Sequence, residues 1–546
     1  MLWPVSKIRK DTKQGERKMC GLLGYKGSSL SKEGLTKGLD KITYRGPDDT
    51  KIVELENVFL GFHRLSIMDL SDKGDQPFKS DHNAQYLMCN GEIYNHVELR
   101  KNFTKEYFKS DSDCEVLLPM IFEYGIEKTC KELDAEFALV YYDTKTKKLM
   151  AARDPIGVRP LFYGIPKSGE IVFASEAKAI TGLCDRVYPF PPGHYYDGQD
   201  FVCYKDIVGQ TSNDKLDLES AIRGIRVKLT DGVVKRLDSD APVSFLLSGG
   251  LDSSLVCAIA QKYSNKPIKT FSIGTENDAI DNKYAQSVAD YIGSDHVQVT
   301  FSKQEVLESL DEVIRLLETW DITTIRASIG MYLVCKYIKE NTDTKVLLTG
   351  EISDELFGYK YTDYAPNAKE FQKESQKRVR ELHYYDVLRA DRCISANSLE
   401  ARVPFGDLDF VDHVMSIPAE LKMNTYGQGK YLLRKAFSGM AILPDEILFR
   451  EKAAFSDAVG HSMVDDIKLY AEEAVTSEEL EHASKTISHG TPVSKESLLY
   501  RKIFAKHYPE QAHLIPDFWL PNRTWKNCNV TDPSARVLPN YGKSGN

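Results

Sequence analysis

The chain has 546 residues, of which 42% are hydrophobic and 28% charged, and it carries a formal net charge of −9 at pH 7. That balance belongs to a soluble globular protein with a sizeable core, and it argues against nucleic-acid or membrane-surface binding. At roughly 100–200 residues per domain, the length predicts two to four domains, and no apolar run reaches the ~18 residues that a bilayer span needs.

In chain order, residues 1–18 are basic, aperiodic and contain one proline, and read as a disordered leader; the leader is taken to end at Met19. The N-terminus lacks an apolar stretch of signal-peptide length, which predicts a cytoplasmic protein. Met19-Cys20-Gly21-Leu22-Leu23-Gly24-Tyr25 is a predicted strand opening on a cysteine, and alternation around Val58–Leu60, Tyr86–Met88 and Phe137–Tyr142 predicts further strands. Between them stand polar clusters at strand ends, where binding loops sit. These are Tyr44–Asp48, His63–Ile67, Cys89–His96, Ser112–Glu115 and Ala152–Gly157. The ten cysteines form no CxxC pair and several lie in apolar runs, so reduced thiols are expected, with no disulfide or zinc framework.

Gly209–Asp214 is polar and rich in chain breakers, a domain boundary between 20–210 and 211–546. A helical pattern over Leu218–Arg236 then leads to the stretch Val243–Ser254, VSFLLSGGLDSS. Val243–Leu247 reads as a buried parallel strand, Ser248-Gly249-Gly250 as a turn, and Leu251–Gln261 as a helix opened by Asp252 and Ser253. A strand, a glycine turn and a helix N-terminus present free N–H groups and a partial positive charge to an anion such as phosphate. No lysine follows the glycines, so the turn is not a Walker P-loop. Further strands over Ile268–Ile273, His296–Phe301 and Val346–Leu348 alternate with helical patterns, as in a parallel sheet covered on both faces. Ligands of such sheets bind at the carboxyl ends of the strands. Thr349-Gly350-Glu351-Ile352-Ser353-Asp354-Glu355 lies at one such end, with carboxylates suited to Mg²⁺ on a nucleotide.

The blocks Cys20-Gly21-Leu22-Leu23-Gly24, RGPD, HRLS, NGEIYNH and SDCE resemble, in order, the glutaminase domain of class II glutamine amidotransferases. The SGGLDSS block resembles the ATP-pyrophosphatase (PP-loop) family. With Thr323–Ser328, Ala365–Ala368, Glu400–Phe405, Lys452–Asp457 and Thr531–Ser534, residues 20 to about 536 resemble the glutamine-hydrolysing, B-type asparagine synthetases. The fold that this implies is an N-terminal αββα sandwich of the N-terminal-nucleophile hydrolase type, followed by an α/β domain with a parallel sheet of the adenine-nucleotide α-hydrolase type.

The resemblance implies roles by position. Cys20 would be the nucleophile, with its own α-amino group as base, Asn90 and Gly91 the oxyanion hole. Arg64, Glu92 and Asp113 would complete the glutamine site. Leu246, Leu247, Ser248, Ile273, Thr349 and Gly350 would hold ATP, and Ser248, Gly249, Gly250, Asp252, Ser253 and Ser254 the pyrophosphate. Asp252 and Asp354 would meet Mg²⁺, Glu351 would take a proton from ammonia, and Lys452 would balance charge at phosphorus; Arg326 and Arg402 are candidates for positioning, or ion-paired core arginines. The implied small molecules are L-glutamine, L-aspartate and ATP with Mg²⁺; no prosthetic group, nucleic acid or membrane is expected, and a homodimer is allowed.

Four departures from the family pattern stand out. Cys20 is preceded by other residues, so its nitrogen is an amide unless translation starts at Met19 or the leader is removed; otherwise the protein is an ammonia-dependent ligase. Ile352 replaces the glycine of GEGSDE, and since a β-branched residue reaches positive φ only at a cost, either that position has ordinary backbone or the loop has shifted. Phe357-Gly358-Tyr359 lacks one glycine, and Gly406 stands where leucine is usual in VPFLD. An amidotransferase acting on another carboxylate, and a catalytically dead binding protein, stay open as alternatives.

Overall fold

The computed structural model describes residues 20–46, 48–80, 84–209, 212–213, 215–275, 280–450 and 461–541. The leader 1–19, the boundary residues Gln210, Thr211 and Asp214, and the whole block around Lys452 lie outside them.

Two six-stranded sheets, antiparallel throughout, make the N-terminal half. Gly21–Lys26 is central to the first and pairs with Val58–Arg64 and Val172–Ala174. Gln85–Ile93 and Ala135–Asp143 pair along their whole length at the centre of the second. Successive strand residues point to opposite faces, so Leu22, Leu60 and Phe62 meet Met88, Ala138 and Val140 in one core between the sheets. The alternate set, Leu23 and Tyr25, turns outward onto Leu35 and Leu39 of the helix Lys32–Asp40. Leu87, Leu139 and Tyr141 turn outward onto the helices Leu117–Tyr124 and Ile126–Glu132. The layers run αββα, as expected.

In the C-terminal half the strands Asp295–Phe301, Lys269–Thr275, Val243–Leu246, Val346–Leu348 and Glu400–Arg402 lie side by side in that order, all parallel. The chain leaves Val243–Leu246 towards one edge, then returns to add its last two strands on the other side. The order in which strands are added therefore reverses between Leu246 and Leu348, the crevice where doubly wound sheets bind ligands. The reversal brings the glycine turn beside Thr349–Glu355. The strand Glu400–Arg402 is fully buried although two of its three residues are charged, and its polarity hides it from a hydrophobic pattern.

Buried ion pairs join the halves. Arg45 of the RGPD block is fully buried; it forks onto Asp391 with two contacts of 2.9 Å and reaches Glu176 at 2.6 Å. Arg236 holds Glu136 at 2.9 Å and Asp407 at 3.1 Å. Removing one partner from such a pair leaves a buried charge and costs about 3–5 kcal/mol, so these contacts fix the geometry of one half against the other.

Candidate active sites

Cys20 sits immediately ahead of the central strand, on the face of Leu22, and packs against the core between the sheets. Its carbonyl accepts a hydrogen bond from Arg45 Nε at 3.0 Å, and its Sγ accepts one from Leu65 N at 3.3 Å. Burial pushes the thiol up to about 12. Asn90 shares the inward face of its strand with Met88, so it projects into the same interior. Its side chain is 1% exposed, yet neither Nδ2 nor Oδ1 has a protein partner among the described residues. A buried amide left unmade costs about 1–3 kcal/mol, which a bound carbonyl or oxyanion would recover. Gly91 follows on the strand, where an added Cβ would lie 2.4 Å from Glu136 O.

Asp113 begins a short turn and accepts from Ile93 N at 2.7 Å. Arg64 is buried and braced by its own loop: Nη1 donates to Ser71 O and to Asp75 Oδ1, both at 2.6 Å, and Nη2 to the Asp69 carbonyl. Glu92 pairs with Arg402 at 2.9 Å. Burial raises its carboxyl well above the usual range, with Arg402 opposing.

The second site is a cavity of about 300 Å³ at the switch crevice. Gly249 has φ of +71°, and a Cβ there would sit 2.5 Å from Ala285 N, so the turn requires glycine. Ser253 Oγ accepts from Ser248 N at 3.1 Å and closes the turn from inside. The helix Leu251–Tyr263 follows, and no side chain caps its first N–H groups, which favours an anion there. Of the residues expected to hold ATP and pyrophosphate, Leu246, Leu247, Ser248, Gly250, Asp252, Ser253, Ile273, Thr349 and Gly350 line the cavity, whereas Gly249 and Ser254 do not. Thr349 Oγ1 and Ser254 Oγ are buried without a protein partner among the described residues.

Asp252 and Asp354 converge on one ammonium: Lys430 Nζ lies 2.7 Å from Asp252 Oδ2 and 2.8 Å from Asp354 Oδ1. Two carboxylates drawn together beside the glycine turn are hard oxygen donors of the kind Mg²⁺ takes. The sequence pattern missed Lys430, which lies far from both motifs along the chain and only folding brings to them. Glu351 lines the same cavity and is held by Arg389, which also binds Asp386 at 2.7 Å.

Ile352 follows neither expectation. Its backbone stays left-handed, with φ 80° and ψ −19°, so the loop keeps a glycine-like course with isoleucine in it. Such a conformation costs a non-glycine residue about 1–3 kcal/mol. Arg402 does not line the cavity; it is fully buried between Glu92 and Glu400. Arg326 does line it, bound to Glu496 at 2.5 Å and Asp532 at 2.9 Å.

Asp532 belongs to the block Thr531–Ser534, in the tail after residue 515. Trp519, Pro521, Pro533, Ser534, Leu538 and Tyr541 of that tail line the cavity. Trp519 packs edge-on to Tyr359, with ring centroids 5.0 Å apart. Asp532→Ala removes charged hydrogen bonds to Arg326 and Lys468, worth about 1.5–3 kcal/mol each. We expect the KM for ATP to rise roughly tenfold or more while glutamine hydrolysis is unchanged, measured by paired pyrophosphate-release and glutaminase assays.

The antiparallel half and the parallel-sheet half together make a two-domain glutamine amidotransferase. A family model described as a glutamine amidotransferase domain matches residues 19–189, and one described as asparagine synthase matches 224–368 and 362–532. Asparagine synthetase [glutamine-hydrolyzing] from Mus musculus is 40% identical over 96% of this chain and 99% of its own length. The Homo sapiens and Gallus gallus proteins of that name are 39% and 40% identical over the same shares. A solved glutamine phosphoribosylpyrophosphate amidotransferase from B. subtilis covers 61% of this chain and 81% of its own, at 16% identity and a TM-score of 0.30. The chain belongs to the glutamine-hydrolysing asparagine synthetase family.

Proposed function

We propose that the protein converts aspartate to asparagine, with glutamine as nitrogen donor and ATP cleaved to AMP and pyrophosphate. The domains divide at 210/211. In the first half the Cys20 thiolate attacks the glutamine amide carbon; the oxyanion is received by the Asn90 amide and Gly91 N–H, ammonia leaves, and water hydrolyses the thioester to glutamate. Arg64 binds the substrate α-carboxylate, Asp113 its α-ammonium, and Glu92 lines the pocket. In the second half the aspartate β-carboxylate attacks the α-phosphorus and expels pyrophosphate, giving β-aspartyl-AMP. Ammonia then attacks the acyl carbon, Glu351 takes its proton, and AMP leaves. Asp252 and Asp354 would hold Mg²⁺ on the nucleotide, and Lys452 would balance charge at phosphorus. When bound, Mg²⁺ supplies charge neutralisation on the phosphates. A cytoplasmic location completes the reading, which allows a homodimer; among the described residues no helix is long and apolar enough to cross a membrane.

The observation that carries this reading is the unpartnered Asn90 amide facing the same interior as Cys20, in one chain with a cavity that gathers Asp252, Asp354 and Glu351. The test supplies ATP, Mg²⁺ and aspartate with either glutamine or ammonium. Asparagine, AMP and pyrophosphate are expected in equal amounts. ATP–pyrophosphate exchange driven by another acid and not by aspartate would reassign the acceptor. Asparagine formed from ammonium alone would mark the glutaminase as silent, the outcome that an amide at Cys20 favours.

A further inference from the structure

The end of the chain is pinned over the ATP-site cavity from two sides. Asp532 bonds Arg326 at 2.9 Å and Lys468 at 2.6 Å. Further on, Asn540 Nδ2 donates to Lys360 O at 2.9 Å and to Asp363 Oδ2 at 3.1 Å. A single turn, Ala535–Val537, lies between these anchors, and Leu538 N closes it onto Ala535 O at 3.0 Å. The turn sends adjacent side chains opposite ways: Val537 is 44% exposed and Leu538 only 5%.

Leu538 belongs to the apolar cluster that contains Phe271, Ile273, Met331 and Val334, with Leu246 packed against it, and all six line the cavity. Leu246 ends one parallel strand and pairs with Phe271 of the next, so this recess opens at the carboxyl side of the sheet, where ligands bind. Met331 and Val334 are one turn apart on the helix Ile322–Asn341 and share a face. An apolar recess beside the glycine turn suits the ring of a nucleotide whose phosphates lie at that turn.

We propose that Leu538 is a wall of the base-binding recess, so that the tail holds the nucleotide by its purine ring. The inference rests on the ATP-dependent reaction proposed above. Asp532 and Asn540 act through Leu538, as positioning residues that set where the leucine stands.

ATP–pyrophosphate exchange with aspartate and Mg²⁺ reads a KM for ATP and a KM for pyrophosphate in one assay. In Leu538→Ala the KM for ATP rises roughly tenfold or more, the worth of hydrocarbon lost from an apolar pocket. The maximal rate and the KM for pyrophosphate, which has no ring, stay as in the unaltered protein. Leu538→Met, close to leucine in volume, restores the KM for ATP. Asn540→Ala frees one anchor and raises it by less. Leu538→Val, one methylene shorter, carries the same comparison where melting shows that the alanine variant unfolds. A KM for ATP that falls in Leu538→Ala means that the leucine occupies the place of the base. An unchanged KM, or equal rises for ATP and pyrophosphate, means a side chain that only supports the fold. Each of these overturns the inference while the proposed function stands, whereas a folded, unaltered protein that exchanges with no acid overturns both.

Discussion

Trimmed to begin at Cys20, the protein hydrolyses glutamine at least ~10³-fold faster near pH 8 than the 546-residue chain. The reason is the titration of one sulfur. Inside the longer chain, burial pushes the Cys20 thiol up to about 12, so little thiolate forms near pH 8. Its nitrogen, bonded to Met19, can accept no proton. Trimming replaces that amide with an α-amine of ordinary pKa about 7.7–8.0, which takes the thiol proton within the same residue. A thiol whose pKa is raised by burial stays neutral past its ordinary value and ionises only as pH passes the raised one. The longer chain should therefore gain rate about tenfold per pH unit through pH 10, whereas the trimmed chain levels off near pH 8. Cys20→Ala in the trimmed chain abolishes glutamine-dependent synthesis and leaves the ammonium-dependent reaction. Glutaminase rates across pH, with the N-terminus read by mass spectrometry, check each statement; equal rates in the two forms would remove the α-amine from the mechanism.

Local pattern carried much of the fold. The strands Val346–Leu348 and Val243–Leu246 are short apolar runs bounded by breakers, and they stand within a residue of where periodicity puts them. The helix Leu218–Lys235 is similarly legible, with Asp217 capping Ser220 N at 2.7 Å. What periodicity does not reach is any element whose stability comes from distant charges. Glu400–Arg402 is a buried strand because Arg402 and Glu400 find partners across the domain boundary, and no window of sequence contains those partners. The tail after 515 takes its place over the cavity from Asp532 bonding Arg326 and Trp519 packing on Tyr359, partners far along the chain, with Leu538 in the same core cluster. Ile352 is a third kind of case: backbone rules alone disfavour positive φ there, and its side chain takes the room left over Gly406, where a Cβ would lie 2.7 Å from Ile352 Cδ1.

Lys430→Met should have the largest effect in the synthetase half, and in two opposite senses. Lys430 is buried, and burial lowers the pKa of its ammonium while Asp252 opposes that shift. It contacts Asp252 at 2.7 and 2.8 Å, Asp354 at 2.8 Å and Ser353 Oγ at 3.0 Å, and Ser353 in turn donates to Asp252 at 2.7 Å. Methionine keeps the length of the side chain and deletes the charge, leaving two crowded carboxylates without this counter-ion. Breaking a buried pair costs about 3–5 kcal/mol, so without Mg²⁺ the variant should melt well below the unaltered protein. Added Mg²⁺ supplies the missing positive charge, and because a ligand stabilises the folded state more the more tightly it binds there, Mg²⁺ should raise the melting temperature of the variant more than that of the unaltered protein. Activity does not follow stability back. The ammonium lies in the cavity beside the glycine turn proposed to hold pyrophosphate, and ATP–pyrophosphate exchange should stay down by about 10²-fold even at saturating Mg²⁺. Melting curves with and without Mg²⁺, paired with exchange rates, read both effects; a variant that Mg²⁺ stabilises no better than the unaltered protein would mean that Asp252 and Asp354 do not share a cation.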